Sequence, residues 1–207
     1  MRLLLTLGGT REPIDAVRFL GNRSSGRIGA AIATAALDAG HTVTAIVGQA
    51  TAALPAEIER VDVETTRQMH DAVLAAWPSH DALIMAAAVA DFRPKIVSES
   101  KLRREAAMTL KLEPTEDILA AAGASKRVDQ ILVGFSLDDD TGAALDRAAA
   151  KLRRKRCDLL VFNPIATMES LEVDATLLRR DHEPERWGPL LKAEFALRLI
   201  QAIAGAR

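Results

Sequence analysis

The sequence predicts an α/β fold with a mainly parallel sheet, on three observations. Short apolar runs alternate along the chain with amphipathic, Ala-rich segments, the rhythm of strand–helix–strand units. These runs are apolar almost throughout, as strands covered on both faces require. The first run, Arg2-Leu3-Leu4-Leu5-Thr6-Leu7, ends in Gly8-Gly9-Thr10. A second glycine turn, Asn22-Arg23-Ser24-Ser25-Gly26-Arg27-Ile28-Gly29, opens an Ala-rich helix. A strand ending in glycines beside a helix start is how α/β proteins cradle an anion. Glycine lets the backbone come close, and free amides at the helix N-terminus donate to it.

In chain order, residues 3–7 are the first strand and 27–39 the helix that follows the glycine turns. Strand 42–47, helix 66–76 and strand 82–86 continue the alternation. Helix 116–122, strand 131–135, helix 141–155 and strand 159–162 complete it. The end of the chain differs. Residues 173–180 alternate weakly and read as an edge strand, and 190–203 form an amphipathic helix with Leu191, Phe195 and Leu199 on one stripe. The expected architecture is a Rossmann-like three-layer sandwich with a C-terminal edge strand plus helix, in a single domain over residues 1–207. Loops 10–25 and 90–108 exceed most connections in compact domains, which favours function or mobility. No internal repeat or low-complexity linker is visible.

Composition excludes several function classes. With 207 residues, 49% of them hydrophobic, the chain can bury most of its apolar surface without staples. A net charge of −1 creates no global field toward nucleic acid or an acidic membrane. Aromatic residues make up 3% and tyrosine is absent, which argues against a base-stacking platform. No nucleic-acid or membrane partner is therefore expected. No run has the length of a signal peptide core or a membrane span. Cys157 is the only cysteine; an intramolecular disulfide is excluded, and a reducing, cytoplasmic setting fits. Cys157 itself reads as an inert small hydrophobe. The four histidines, His41, His70, His80 and His182, show no metal-ligand spacing and read as surface or boundary residues.

The motifs leave alternatives open. The Gly8-Gly9-Thr10 turn is either a phosphate contact or plain turn geometry. It is neither a dinucleotide fingerprint nor a P-loop. Ser24 or Ser25 is a candidate helix cap. Asn22, just before them, is placed either for polarising a carbonyl or for turn structure. In Ala86-Ala87-Ala88-Val89-Ala90-Asp91, small residues leave room for a flat ligand. Asp91 is either a ligand contact or a cap or salt-bridge partner of Arg93. Lys101, near Arg103 and Arg104, belongs either to a solvated basic loop or to a closing flap. Lys151 and Lys155 project from one helix face, where they complement the helix dipole or clamp a polyphosphate.

Taken in order, these stretches resemble the phosphopantothenoylcysteine synthetase family. The likeness spans nearly the whole chain. It adds residues 11–18 after the first turn, Glu113-Pro114-Thr115-Glu116-Asp117-Ile118-Leu119, Val133-Gly134-Phe135, Asp158 and Asn163 to the motifs above. The resemblance implies a ligase of coenzyme A biosynthesis. The carboxylate of 4′-phosphopantothenate attacks the α-phosphate of CTP or ATP, and L-cysteine then attacks the acyl-CMP or acyl-AMP. Mg²⁺ neutralises the phosphate charge. By resemblance Asn22 acts on the acyl intermediate and Lys101 is the flap lysine that handles it. Asp91 and Phe135 contact the nucleotide, as do Met85 and the turn Glu116, Asp117, Ile118, Leu119. Lys151 and Lys155 hold the triphosphate, and Gly9, Ser24, Ser25 and Gly26 shape the phosphate end. No metal ligands are assigned.

The resemblance also implies a homodimer. The chain starts with the synthetase domain, so the expectation is a standalone form with a separate phosphopantothenoylcysteine decarboxylase. One departure is Ser136-Leu137-Asp138-Asp139-Asp140, either an Mg²⁺-recruiting run or a solvated helix start; another is Pro164 after Asn163. Both leave CTP against ATP open. Two rivals remain: a short-chain dehydrogenase-like NAD(P) oxidoreductase, which lacks its usual tyrosine here, and a non-catalytic nucleotide-binding protein.

Overall fold

The structure, a computed structural model, describes residues 1–104, 107–139, 142–167 and 170–206. In chain order its elements are β1 (Arg2–Leu7), β2 (Arg11–Pro13), β3 (Phe19–Gly21), α1 (Arg27–Asp38), β4 (Thr42–Val47), β5 (Glu59–Asp62), α2 (Thr66–Ala76), β6 (Ala82–Met85), β7 (Phe92–Pro94), β8 (Leu112–Pro114), α3 (Ile118–Ser125), β9 (Ile131–Asp138), α4 (Gly142–Arg154), β10 (Leu159–Pro164), β11 (Glu172–Arg179), β12 (Glu185–Leu191) and α5 (Lys192–Ala204). The expected helix start Thr141 and the last residue of the acidic run, Asp140, lie outside the described residues. So do Glu105 and Ala106 of the 90–108 loop.

Eight strands form one sheet in the order β12-β11-β10-β9-β6-β1-β4-β5. From β10 to β5 all neighbours are parallel; β11 and β12 add on antiparallel. Alternation along the strands sends side chains into two cores. Leu3, Leu5 and Leu7 meet α1 and α5, with Ile32, Phe195 and Leu199. Leu4, Leu83 and Leu160 meet α2, α3 and α4, with Met69, Trp77 and Leu152. This is the three-layer α/β sandwich expected from the apolar runs.

Several boundaries differ, each for a physical reason. The C-terminal edge strand is β12, not the strand near 173–180. β11 lies inside the sheet, and its weak alternation reflects cover on both sides: Val173, Ala175 and Leu177 in one core, Leu178 in the other. The last helix starts at Lys192, so Leu190 and Leu191 belong to β12 and Leu191 is exposed. The third helix begins at Ile118 because Asp117 caps it, its carboxylate accepting from the Ala120 amide at 2.9 Å. Residues 136–138 continue β9 rather than starting a helix, and Asp138 pairs with Arg147 at 2.8 Å. His80 is buried rather than peripheral, its ring nitrogens 3.0 Å from the Thr44 hydroxyl and 2.8 Å from the Ala76 carbonyl. Cys157 is buried, and desolvation pushes its thiol up to about 12, as an inert small hydrophobe requires.

The chain leaves β1 through α1 to β4 on one side. After β5 it returns through α2 to β6 on the other side of β1. That reversal opens a crevice beyond the C-terminal ends of β1 and β6, where open α/β sheets bind ligands. The two long loops fold into ribbons beside it, β2–β3 and β7–β8.

Candidate functional site

Beyond the strand ends lies a cleft of about 900 Å³, within the range of small-molecule sites. Its floor is the chain after β6. Four threonine hydroxyls pin this segment. Thr6 receives the Ala87 amide at 3.3 Å and Thr10 the Ala90 amide at 2.9 Å. Thr66 and Thr115 donate to the Ala90 carbonyl at 3.3 and 2.6 Å. The Ala86 and Ala88 amides donate to the Thr6 and Gly8 carbonyls at 3.2 and 2.8 Å, so hydroxyls and the end of β1 together hold residues 86–90 in place. Their alanines leave a flat surface, as the small-residue run suggests.

One wall is the N-terminus of α1. Its N-cap is Gly26 in a left-handed conformation (φ 76°), with no side-chain cap, so neither Ser24 nor Ser25 caps the helix. Both serines line the cleft with Gly26, Arg27 and Gly29. A Cβ on Gly29 would collide with the Cβ of Leu7, so glycine there lets α1 lie against β1. The start of α1 thus borders the cleft with no side-chain cap over its first turn, the arrangement that suits an anion. Asn22, at the same rim, donates from Nδ2 to the Val89 carbonyl at 2.8 Å, which ties the first long loop to the floor.

The opposite wall comes from α3 and α4. Lys151 Nζ donates to the Phe135 carbonyl at 2.8 Å, and Lys155 pairs with Asp117. Burial lowers the proton affinity of both ammonium groups below the usual lysine range. Glu116 is spent on Arg93 and Arg67, at 2.8 and 2.7 Å. Arg93 pairs with Glu113 and Glu116; the expected alternative of an Asp91–Arg93 salt bridge is not formed. Asp91 stays exposed on the cleft. Among the described residues, the lining cations Arg23, Arg27, Lys151, Arg154, Lys155 and Lys192 outnumber the carboxylates Asp91, Glu116 and Asp117. The cleft thus favours an anion within a chain of near-zero net charge.

The fold brings most of the residues singled out by sequence onto this one surface: Asn22, Ser24, Ser25, Gly26, Met85 and Asp91, then Glu116, Asp117, Ile118, Leu119, Phe135, Lys151 and Lys155. It leaves two elsewhere. Gly9 lies behind the wall, where a Cβ would come to 3.0 Å from the Asn22 carbonyl; it positions the Asn22 loop rather than facing the cleft. Lys101 is exposed outside the cleft. The loop that carries it is anchored at the next residue, where the Leu102 amide donates to Asp15 at 3.1 Å. Sequence reasoning missed Arg27, Arg154 and Lys192, whose charges resemble any other surface cation until the helices are placed.

The match to known families decides the lineage. Residues 1–206 match the model of the DNA/pantothenate metabolism flavoprotein C-terminal domain. This chain belongs to that family. Within it, the coenzyme A biosynthesis bifunctional protein CoaBC of Mycobacterium tuberculosis (strain ATCC 25618 / H37Rv) is 43% identical across 98% of this chain and 51% of its own length. A cysteine/cysteine sulfinic acid decarboxylase from an unknown prokaryotic organism is 42% identical across 98% of this chain and 57% of its own. The chain therefore spans about half the length of the curated relatives it matches. The crystal structure of the C-terminal domain of a CoaBC superposes with a TM-score of 0.83 at 35% identity, over 98% of this chain and 93% of that one. Family membership sets aside the short-chain dehydrogenase alternative. Among the described residues, no helix is long and apolar enough to cross a membrane.

Proposed function

We propose that this chain is a phosphopantothenate–cysteine ligase that forms 4′-phosphopantothenoyl-L-cysteine through an acyl-nucleotide. The observation that carries the reading is one cationic cleft. It sets the Asn22 carboxamide at the rim of the same alanine floor that Lys151, Lys155 and the 116–119 turn face. The CoaBC relatives, which bear the name of coenzyme A biosynthesis, support it.

In the first step a carboxylate oxygen of phosphopantothenate bonds to the α-phosphorus. The bond from that phosphorus to the bridging oxygen breaks, and pyrophosphate leaves with the electron pair. In the second step the cysteine nitrogen bonds to the acyl carbon, loses a proton, and the nucleoside monophosphate departs. Asn22 holds one amide hydrogen on Val89, which orients the other toward an acyl oxygen. Lys151 and Lys155 supply positive charge to the phosphates, and Met85, Asp91, Phe135 and the 116–119 turn shape the nucleoside pocket. The loop 95–104 closes over the intermediate and brings in Lys101. Mg²⁺ bound with the phosphates would neutralise their charge. Among the described residues no cluster of three or more His, Cys, Asp or Glu offers an all-protein cage. An ion carried mainly by phosphate oxygens suits this donor set.

We read residues 1–207 as one synthetase-like domain that works as a homodimer. Exposed apolar side chains gather on the two ribbons and their loops, among them Val17, Phe19, Phe92, Ile96, Val97 and Met108, as a self-association surface would require. A buried free thiol suits the cytoplasm, and a separate decarboxylase would take the product. The deciding experiment is pyrophosphate release with phosphopantothenate, cysteine and Mg²⁺, with CTP and ATP in parallel. Nucleotide binding without pyrophosphate release on adding phosphopantothenate would instead establish a binding protein.

A further inference from the structure

Under the floor of the cleft, side chains take over where the hydrogen bonding of the sheet ends. The Ala86 and Ala88 amides still donate to carbonyls of β1 and the residue just beyond it, Thr6 and Gly8. Two residues on, Ala90 makes no backbone hydrogen bond among the described residues. Both of its polar groups go to threonine hydroxyls instead.

The direction of each bond follows from its ends. The Ala90 amide only donates, and its acceptor is Thr10 Oγ1 at 2.9 Å. The Ala90 carbonyl only accepts, and it takes the Thr66 hydroxyl at 3.3 Å. Thr66 has then given its one proton, so the 3.1 Å contact between the two hydroxyls runs from Thr10 to Thr66. The bonds close into a ring: amide to Thr10, Thr10 to Thr66, Thr66 back to the carbonyl of the same residue. Thr115 adds a second donor to that carbonyl at 2.6 Å. Thr66 is not needed as a helix cap, because Thr65 caps α2 in a capping box with Gln68. The Thr66 amide is held from behind by the Glu12 carboxylate at 2.7 Å. Thr10, Glu12 and Thr66 are buried, and none of them lines the cleft. Such a ring keeps one geometry, since opening any bond leaves a buried donor or acceptor unpaired.

The ring reaches the cleft through a peptide plane. The Ala90 N–H and the Val89 C=O belong to one planar trans peptide, so they point in opposite directions. Holding the N–H on Thr10 aims the Val89 carbonyl the other way, where Asn22 Nδ2 meets it at 2.8 Å. Thr10 and Asn22 stand near the two ends of the first long loop and grip this peptide from either side.

We infer that Thr10 and Thr66 are positioning residues of the ligation, acting through the Val89–Ala90 peptide on the Asn22 carboxamide. This rests on the ligase reading and deepens it. The ring keeps the Val89 carbonyl at a fixed angle, and that carbonyl keeps the second amide hydrogen of Asn22 aimed at the acyl oxygen.

The test pairs Thr10→Val and Thr66→Val, which exchange a hydroxyl for a methyl, with Thr10→Ser and Thr66→Ser, which keep it. Each is made in the wild-type background and in Asn22→Ala. Thr10→Val should lower kcat for pyrophosphate release by about ten- to a hundredfold, with the KM for CTP or ATP within about twofold. Thr66→Val should act in the same direction and less strongly, since Thr115 still serves the Ala90 carbonyl. Serine should recover most of the turnover at both positions. In Asn22→Ala the valine changes should cost less than about twofold more, because the group they act through is gone. A readout independent of turnover is the side-chain amide NMR signal of Asn22, identified by its loss in Asn22→Ala. It should shift in both valine variants and return in the serine ones. Wild-type turnover in Thr10→Val would overturn the inference. So would valine losses of full size in Asn22→Ala, which would make the ring a general support of the fold. If Thr10→Val does not fold, Thr66→Val decides, and an unmoved Asn22 signal there overturns the inference. A wild type that binds nucleotide and never releases pyrophosphate sinks the ligase reading instead, while the Asn22 signal still judges the ring.

Discussion

Asn22 and Val89 are joined across 67 residues of sequence by a single hydrogen bond, the carboxamide donating to the backbone carbonyl at 2.8 Å. The bond fastens the first long loop to the floor of the cleft and fixes which way the carboxamide faces. A side chain oriented by its own backbone bond is prepared before any substrate arrives, which is what electrostatic catalysis requires.

Asn22→Ala should therefore lower turnover by about 10²–10³-fold, the usual size for loss of one oriented donor, while nucleotide affinity stays nearly intact. Pyrophosphate release measured beside CTP or ATP titration checks this. Normal turnover would remove Asn22 from the mechanism.

Lys151 and Lys155 face the same wall with different partners, a neutral carbonyl and the carboxylate of Asp117. Lys151 thus carries the less compensated charge. Lys151→Met should weaken triphosphate binding by roughly tenfold or more, and should do so more than Lys155→Met, with a smaller effect on monophosphate. Equal losses for the two ligands would argue against a polyphosphate clamp.

Burial lowers the proton affinity of Lys151 below the ordinary lysine value of 10.5. The buried ammonium is destabilising while both folded and unfolded chains keep the proton. That cost recedes as pH rises from the lowered folded value toward the unfolded one, because the unfolded chain then binds more protons. Binding runs the other way: an anion favours the protonated form. Triphosphate affinity should fall with alkaline pH before the ordinary lysine range, with proton uptake on binding. Calorimetry in buffers of different ionisation enthalpy measures that uptake, and a weaker pH dependence in Lys151→Met than in the wild type checks its source.

The loop that carries Lys101 is held at Leu102 by Asp15. Burial pushes the Asp15 carboxyl up, yet amide bonds from Val17, Arg18 and Leu102 and the charge of Arg18 outweigh it and bring the pKa down to about 2. A lowered folded value means that this anchor contributes above the ordinary 3.8 and is lost as pH falls through about 2. Asp15→Asn should speed amide exchange in residues 98–104 by about tenfold at neutral pH, with nucleotide affinity retained. Lys101→Ala should slow turnover without changing ground-state nucleotide affinity. An unaffected rate would make the loop a spacer.

Gly29 lets α1 rest on β1, since a Cβ there would meet Leu7. Gly29→Ala should cost about 1–3 kcal/mol and lower the melting temperature by a few degrees, roughly 2–4 °C per kcal/mol at this size. Thermal unfolding checks it. Phosphate affinity should weaken alongside, because the same shift moves the amides at the start of α1.

The layered fold was legible from the chain alone because strands buried on both faces must be apolar throughout. The runs at β1, β4, β6, β9 and β10 had no other stable use. β5 escaped that signal: it is an exposed edge whose Glu59, Arg60 and Asp62 look like loop residues. β12 escaped it because Gly188 and Pro189 interrupt it. The same local chemistry singled out the glycine turn before α1, the alanine floor and the lysine pair, which the fold gathers on one cleft. Their side chains and spacings carry meaning before folding.

What the tertiary structure alone decided is how those parts meet. Asp117 became a helix cap and the partner of Lys155, and Glu116 went to two arginines. Lys101 was left outside the cleft, while Lys192 was carried into it from the far end of the chain. A charge has no address in a sequence. Its role depends on which neighbours neutralise it and which face of the sheet it reaches, and only long-range packing sets those.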